Sequence, residues 1–157
     1  MKKLLAALLL VAGTASAQTG YHIKLTLKPY TNSWVYLGHY SGKNLPIIDS
    51  AKLNDRSEAT FKGANKLPAG VYLIGFPDRS RNFELLIDKT QNFAVSTDSS
   101  LQKIVFTNSK ENSDFQAYQQ TMMAYGKKME ALQARKASGK DTAGVAAQMT
   151  VLNTAVK

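Results

Sequence analysis

The sequence predicts a mainly β protein with a C-terminal α part: an antiparallel β-sandwich or barrel of about eight strands, followed by a helical hairpin. Three observations predict this fold. Short runs rich in Val, Ile, Leu, Tyr and Phe recur between Gly, Pro, Asn and Asp as far as residue 108. Apolar residues then recur at helical spacing. A share of 44% hydrophobic and 20% charged residues is typical of a folded domain rather than of a disordered chain.

Residues 1–17 have the features of a secretory signal peptide. Lys2 and Lys3 form a positively charged end, residues 4–11 form an apolar run, and small residues at 15–17 form a cleavage site. The apolar run is much shorter than the roughly 20 residues that span a bilayer, so we expect no transmembrane segment after cleavage. We predict export to the periplasm or cell envelope. The net charge then falls from +9 to +7 because both signal lysines are lost.

Residues 18–108 are expected to form the β-sandwich domain. The first strand is the clearest, because Ile23, Leu25 and Leu27 alternate with polar residues and so share one face. Asn54 and Asp55 tolerate positive φ and suit a two-residue hairpin turn between the third and fourth strands. The predicted strands cover residues 21–28, 34–40, 46–53, 57–62, 70–76, 83–87, 92–97 and 102–107.

Residues 109–157 are expected to form a helical hairpin or linker arm. Asn108 is the expected N-cap, because Glu111 follows three residues later. Six apolar residues at spacings of 3 and 4 then form one helical stripe, and a break at 138–141 precedes a second helix. The stripe, a candidate partner-binding surface, consists of Phe115, Tyr118, Met122, Tyr125, Met129 and Leu132. Burial within the hairpin and use as a homodimer or interdomain surface remain open alternatives.

The residue content excludes several kinds of chemistry. The chain has no cysteine, so it contains no disulfide, cysteine-bound metal or redox dithiol. Its two histidines, His22 and His39, lie on separate predicted strands, and a zinc site normally has three or four ligands. Asp49 and Asp88 resemble turn carboxylates rather than a general acid and base. We predict no catalytic residue, cofactor or metal, and no nucleic-acid partner, because the basic residues are scattered.

Two further groups of residues are candidates for partner binding. Trp34, Tyr36 and Tyr40 share one face of a predicted strand. Aromatic residues in strands usually pack against the sheet or beneath helices, and a stacking platform for a peptide or glycan is the alternative. Arg79 and Arg81 lie in one loop between strands. Such a loop is usually solvated, and binding of an acidic partner is the alternative.

Several short segments follow one another in a familiar order: VYLG at 35–38, IIDSA at 47–51, FKG at 61–63, PAGVYL at 68–73, FELLID at 83–88 and SKEN at 109–112. This order resembles a β-rich domain of unknown function in exported bacterial proteins, and the resemblance covers roughly residues 20–125. In that family the domain often lies N-terminal to a thioredoxin-like domain of the thiol-disulfide interchange type.

This resemblance implies a non-catalytic accessory domain that positions, or recognises clients for, a thioredoxin-like domain in cis or in trans. The Cys-x-x-Cys site of such a partner is absent here, so no catalytic residue carries over to this chain. The chain is expected to be either the front part of a longer thiol-disulfide oxidoreductase or a stand-alone relative. The alternative hypothesis is a stand-alone cell-envelope module that binds a peptide or glycan on the Trp34 face.

Overall fold

A computed structural model describes residues 20–40, 42, 45–139 and 142–154, so the predicted signal peptide lies outside the described residues. Within those ranges, eight strands precede two helices. The strands are β1 (Tyr21–Lys28), β2 (Trp34–His39), β3 (Ile47–Lys52), β4 (Glu58–Gly63), β5 (Gly70–Gly75), β6 (Asn82–Ile87), β7 (Asn92–Asp98) and β8 (Val105–Thr107); the helices are α1 (Lys110–Ala137) and α2 (Thr142–Thr154). Only β8 is clearly shorter than predicted, because a turn with Leu101 at a φ of 56° precedes it.

The strands form two four-stranded sheets, which confirms the mainly β class with C-terminal helices. The first sheet has the order β4-β1-β7-β8 and the second has the order β3-β2-β5-β6. Neighbouring strands are antiparallel except β1 and β7, which run parallel with Leu25 opposite Val95. A parallel pair needs a long crossover, and here the chain passes through the second sheet between β1 and β7.

The core lies between the two sheets and takes alternate residues from each strand. Ile23, Leu25 and Leu27 of β1 are buried, as their alternation predicts. Leu37 of β2 and Ile74 of β5 belong to the same cluster. Burial of this apolar surface is the main stabilising contribution, at about 25 cal/mol per Å². Because the inward positions are filled in this way, the intervening side chains of β2 must face outward.

The link between β3 and β4 carries the chain from one sheet to the other, so the predicted two-residue hairpin at Asn54 and Asp55 is wrong. The positive φ belongs to Ser57, at 64°, and the Ser57 N–H donates to the Asn54 carbonyl over 3.2 Å. Asn54 Oδ1 accepts from the backbone N–H groups of Arg56 and Glu58 at 2.8 and 2.9 Å. Its side chain therefore builds a longer turn by replacing backbone acceptors.

The N-cap of helix α1 is Ser109, one residue after the predicted cap Asn108. Ser109 Oγ accepts from the N–H of Asn112 at 3.3 Å, whereas Asn108 adopts a left-handed φ of 63° that asparagine tolerates. Asn112 is fully buried and reaches the backbone of Leu86 on β6. Its Oδ1 accepts from the Leu86 N–H at 2.7 Å, and its Nδ2 donates to the Leu86 carbonyl at 2.9 Å. These bonds satisfy one position on an edge strand and attach α1 to the sandwich.

The two helices pack against each other as the predicted hairpin. Leu132 of α1 and Val145 of α2 are buried, and the Tyr125 hydroxyl donates to Asn153 Oδ1 at 2.5 Å. Helix α2 has 13 residues and α1 has 28, so α2 covers only the C-terminal part of α1. Among the described helices, none has the length and apolar character to cross a membrane.

Candidate functional site

Trp34, Tyr36 and Tyr40 lie on the outer face of the second sheet, and we call them the aromatic face. Val35 and Leu37 fill the core from the same strand, so alternation turns Trp34 and Tyr36 outward. Trp34 is 51% exposed and Tyr40 is 46% exposed, while Tyr36 is half-buried. Packing beneath the helices, which the residue types favoured, therefore does not occur for Trp34 and Tyr40.

A groove lies beside Tyr36 on this outer face, and we call it the face groove. Gly38 and Gly75 line it and add no side chains of their own, while the Leu73 side chain borders the space above Gly38, 3.3 Å from where a Gly38 Cβ would lie. Ile47, which is 54% exposed, lines it too. The cavity has a volume of about 190 Å³. It suits one side chain or part of an extended ligand, because small-molecule pockets are usually of about 300 Å³ or more.

The two candidate arginines have different surroundings. Arg79 Cζ lies 4.5 Å from the centre of the Tyr36 ring, which places its charge over an aromatic face beside the groove. Arg81 donates to the Ser99 carbonyl and, at 2.8 Å, to the Tyr30 hydroxyl. Arg81 therefore ties the β5–β6 connection to the rest of the sandwich. Arg79 is the stronger candidate for an acidic ligand.

Glu84 of β6 lies on the same outer face as the aromatic residues. Gln119 of α1 donates from Nε2 to Glu84 Oε2 at 3.0 Å. The pKa of Tyr40 is raised, first by its partial desolvation, then by the negative charge of Glu84 and by a hydrogen bond to that carboxylate. The outer face thus carries a cation at Arg79 and an anion at Glu84. Sequence reasoning missed Glu84, because a single carboxylate within a strand forms no motif.

Tyr21 and Asp49 form a polar pair between the two sheets. The Tyr21 hydroxyl of β1 donates to Asp49 Oδ2 of β3 at 2.8 Å. Burial, and then the hydrogen bond to Asp49 and the charge of Asp49, raise the pKa of Tyr21 to about 12. The interpretation of Asp49 as a turn carboxylate is therefore wrong, since it lies within a strand and links the sheets.

The two histidines lie in different sheets, His22 on β1 and His39 on β2. The His39 ring stacks on the buried Tyr72 ring, with ring centres 4.4 Å apart. In the part of the chain that the structure describes, no group of three or more side chains is arranged to hold a metal ion. His39 therefore serves as a packing residue through its contact with Tyr72.

The apolar stripe of α1 is divided along its length. Tyr125 and Leu132 lie on the side that meets α2, and Tyr118 lies on the same side but before the part that α2 covers. The stripe residues Phe115, Met122, Tyr125 and Met129 are half-buried, Leu132 is buried, and Tyr118 is 61% exposed. Burial in the hairpin therefore accounts for the C-terminal half of the stripe, and Tyr118 remains uncovered.

The residues that join α1 to β6 were not found from the sequence. Asn112, Gln116 and Gln119 recur at spacings of 4 and 3, and all lie near the second sheet. This polar stripe, which runs beside the apolar stripe, was the sequence pattern that could have indicated the contact between α1 and β6. It was not recognised because polar residues at helical spacing usually face solvent.

These features define a class of protein: a two-sheet β-sandwich domain with an attached helical hairpin and an exposed aromatic face. A family model described as Domain of unknown function (DUF4369) matches residues 21–115, which is more than half of the chain. The chain therefore belongs to this family. The match includes all eight described strands and the start of α1. A comparison with curated proteins gave no match.

Proposed function

We propose that this chain is a non-catalytic accessory domain that recognises clients for, and positions, a thioredoxin-like thiol-disulfide oxidoreductase domain in cis or in trans, in the periplasm or cell envelope. The observation that carries the proposal is the exposed aromatic face beside a groove that Arg79 borders. The redox chemistry belongs to the partner, because this chain has no cysteine. The thioredoxin-like partner and the export come from the sequence resemblance and the signal pattern.

The face groove favours an extended peptide with an apolar or aromatic side chain next to an acidic one. The apolar side chain can enter above Gly38 and Gly75, which contribute no side chains to the groove, and contact the exposed Ile47. The acidic group can meet Arg79, whose charge lies over Tyr36. Exposed Trp34 supplies a large rigid contact of the kind that dominates binding interfaces. Incompletely folded clients expose apolar segments that a native core would bury.

Helix α1 supports the positioning part of the proposal. Asn112 attaches its start to β6, and α2 packs on its far end. A helix of 28 residues is roughly 42 Å long at 1.5 Å per residue. A partner domain joined to this helical arm would be held at a defined distance from the aromatic face. The same arm can serve a partner that binds in trans.

The client-recognition proposal is tested by probing a peptide array with the full chain, with Trp34→Ala as the perturbing variant. We expect peptides that combine aromatic and acidic residues to bind, and Trp34→Ala to weaken them by roughly tenfold or more. Val105→Ala is the matched control, because Val105 is also exposed, at 43%, but lies on the first sheet. No bound peptide, or equal binding by Trp34→Ala, contradicts the proposal.

The second candidate function is a stand-alone envelope module that binds a glycan. The exposure of Trp34 and Tyr40 favours it, since flat aromatic rings can stack on the apolar face of a sugar. A glycan array probed in parallel separates the two candidates. Glycan binding that is lost in Trp34→Ala, with no peptide bound, supports the glycan module and contradicts client recognition.

The redox association and the export have tests of their own. An in-frame Cys-x-x-Cys segment beyond codon 157, or an adjacent gene for a thioredoxin-like protein, supports the association. A stop codon with no such neighbouring gene contradicts it. For export, we expect the N-terminal sequence of the protein recovered from the envelope fraction to begin at Gln18. An uncleaved chain in the cytoplasmic fraction contradicts the export.

A further inference from the structure

Strand β6 is the outer strand of the second sheet, and part of its edge is unpaired among the described residues. The order β3-β2-β5-β6 leaves one side of β6 without a neighbouring strand. Asn112 occupies that side at Leu86 by bonding both its N–H and its carbonyl. In an antiparallel strand, alternate residues direct both backbone groups to the same side. Asn82 and Glu84 therefore direct their N–H and carbonyl groups to the open side as well.

A second groove lies between this edge and helix α1, and we call it the edge groove. Phe83 and Glu84 line it from β6, Ile104 lines it from the segment before β8, and Met122 and Met123 line it from α1. Its volume is about 480 Å³, which is sufficient for several residues of extended peptide. Met123 is 59% exposed, and methionine side chains adapt to different apolar partners.

Two further observations indicate the chemistry of the occupant. Gln116 lines the groove and is only 8% exposed, yet its Oε1 is buried with no hydrogen-bond partner among the described residues. An unpaired buried acceptor is costly, and a donor on a bound chain can satisfy it. Glu84 is the one charged residue among the described residues that line the groove, although the whole chain carries +9. The groove therefore favours a neutral or basic occupant.

We propose that the edge groove binds an extended peptide as an additional antiparallel strand on β6. Asn82 and Glu84 each offer one backbone donor and one acceptor to this strand. Residues paired directly with Glu84 share its outer face, so a basic side chain there meets the Glu84 carboxylate. The alternate side chains face the opposite way, toward Phe83 and Ile104, and are apolar. This site adjoins the face groove, with which it shares Asn82, but the charged residues that line the face groove are the cations Arg79 and Arg81.

The probe is an acetylated and amidated five-residue peptide, Val-Lys-Val-Lys-Val, added to the isotope-labelled full chain. Nuclear magnetic resonance should show the largest shift changes at the backbone N–H groups of Asn82 and Glu84. A peptide with Glu in place of both Lys should bind roughly tenfold more weakly or worse, because it meets Glu84 with a like charge. Because Asn82 lines both grooves, shift changes at Gly38 and Gly75 of the face groove without a change at Glu84, or no shift change at all, overturn the proposal.

Methylation of the peptide nitrogens tests the strand itself. In the proposed pairing the Lys residues direct their N–H groups toward β6, and the Val residues direct theirs away. Methylation of both Lys nitrogens should lower the affinity by roughly tenfold, as expected for the loss of two hydrogen bonds, and methylation of the middle Val nitrogen should leave it unchanged. Equal effects, or loss only on methylation of the Val nitrogen, overturn it.

Two protein variants complete the test. Gln116→Leu should weaken the Val-Lys peptide while the chain remains folded, because leucine is similar in size and lacks the acceptor. Trp34→Ala should leave the affinity for this peptide unchanged, because Trp34 lies on the aromatic face. Unchanged binding by Gln116→Leu, or loss of binding by Trp34→Ala, contradicts the proposal that the peptide binds in the edge groove independently of the aromatic face.

Discussion

Asn112 is the residue whose replacement should most clearly separate the attachment of α1 from the stability of the sandwich core. Its side chain is fully buried and makes hydrogen bonds to both backbone groups of Leu86, at 2.7 and 2.9 Å, and to Ser109 Oγ, at 2.9 Å. Asn112→Ala removes these bonds and leaves the Leu86 groups without a partner beneath the helix. At about 0.7 to 1.3 kcal/mol for each of the three bonds, the free energy of unfolding should fall by about 2 to 4 kcal/mol.

Urea unfolding followed by circular dichroism measures this loss. With a slope of about 2 kcal/mol per M, the midpoint should fall by about 1 to 2 M. Ser109→Ala removes the helix cap and should cost about 1 kcal/mol, so the difference between the two variants isolates the bonds to β6. Ser113→Ala is the matched control in the same turn, since Ser113 is exposed and should change stability by at most about 0.5 kcal/mol.

Hydrogen exchange provides a readout at the site. The amide of Leu86 should lose protection in Asn112→Ala, whereas amides in β1 should change only with global stability. If Asn112→Ala costs no more than Ser109→Ala, the side chain does not attach α1 to β6 and the reasoning is refuted. Such a result would also mean that Asn112 does not occupy the open side of β6 at Leu86.

Two further predictions concern the link between the sheets and the helical hairpin. Tyr21 should ionise near pH 12, and Asp49→Asn should bring its titration, followed by ultraviolet difference absorbance, closer to pH 10. Because the pKa of Tyr21 is raised in the folded protein, its stabilising contribution is complete below about pH 10 and is lost as the pH rises toward 12. If Tyr21→Phe loses the same stability over that pH range, the loss does not come from ionisation of Tyr21. Leu132 is 8% exposed and Tyr118 is 61% exposed, so Leu132→Ala should destabilise the hairpin by about 2 kcal/mol or more and Tyr118→Ala by less than about 0.5 kcal/mol. Thermal unfolding measures both losses. Equal shifts of the unfolding temperature for the two variants contradict the division of the stripe.

Local patterns predicted the elements of this fold well where neighbouring residues decide the outcome. The alternation of Ile23, Leu25 and Leu27 predicted a strand with one buried face, and the structure confirms it. The helical spacing after residue 108 predicted a long helix, although the cap is Ser109 rather than Asn108. The error is one residue because both side chains can cap a helix, and only the path of the chain after β8 selects between them.

The candidate site was predicted only in part. The sequence placed Trp34, Tyr36 and Tyr40 on one face, but it did not determine whether that face is covered. Exposure depends on where the helices lie, and α1 attaches at the edge of β6 instead of over the aromatic face. The two arginines were treated alike, yet Arg81 meets Tyr30, which is 51 residues away in the chain.

By itself, the sequence determined the number and order of the elements, the inward and outward positions along the strands, and the absence of cysteine chemistry. The tertiary structure alone decided the parallel pairing of β1 with β7, the crossing between sheets at Asn54, and the two grooves. The physical reason is the separation in sequence between the residues that interact. Periodicity reports residues two to four apart, whereas the bonds of Asn112 to Leu86 join residues 26 apart, and such pairings follow from the packing of the whole core.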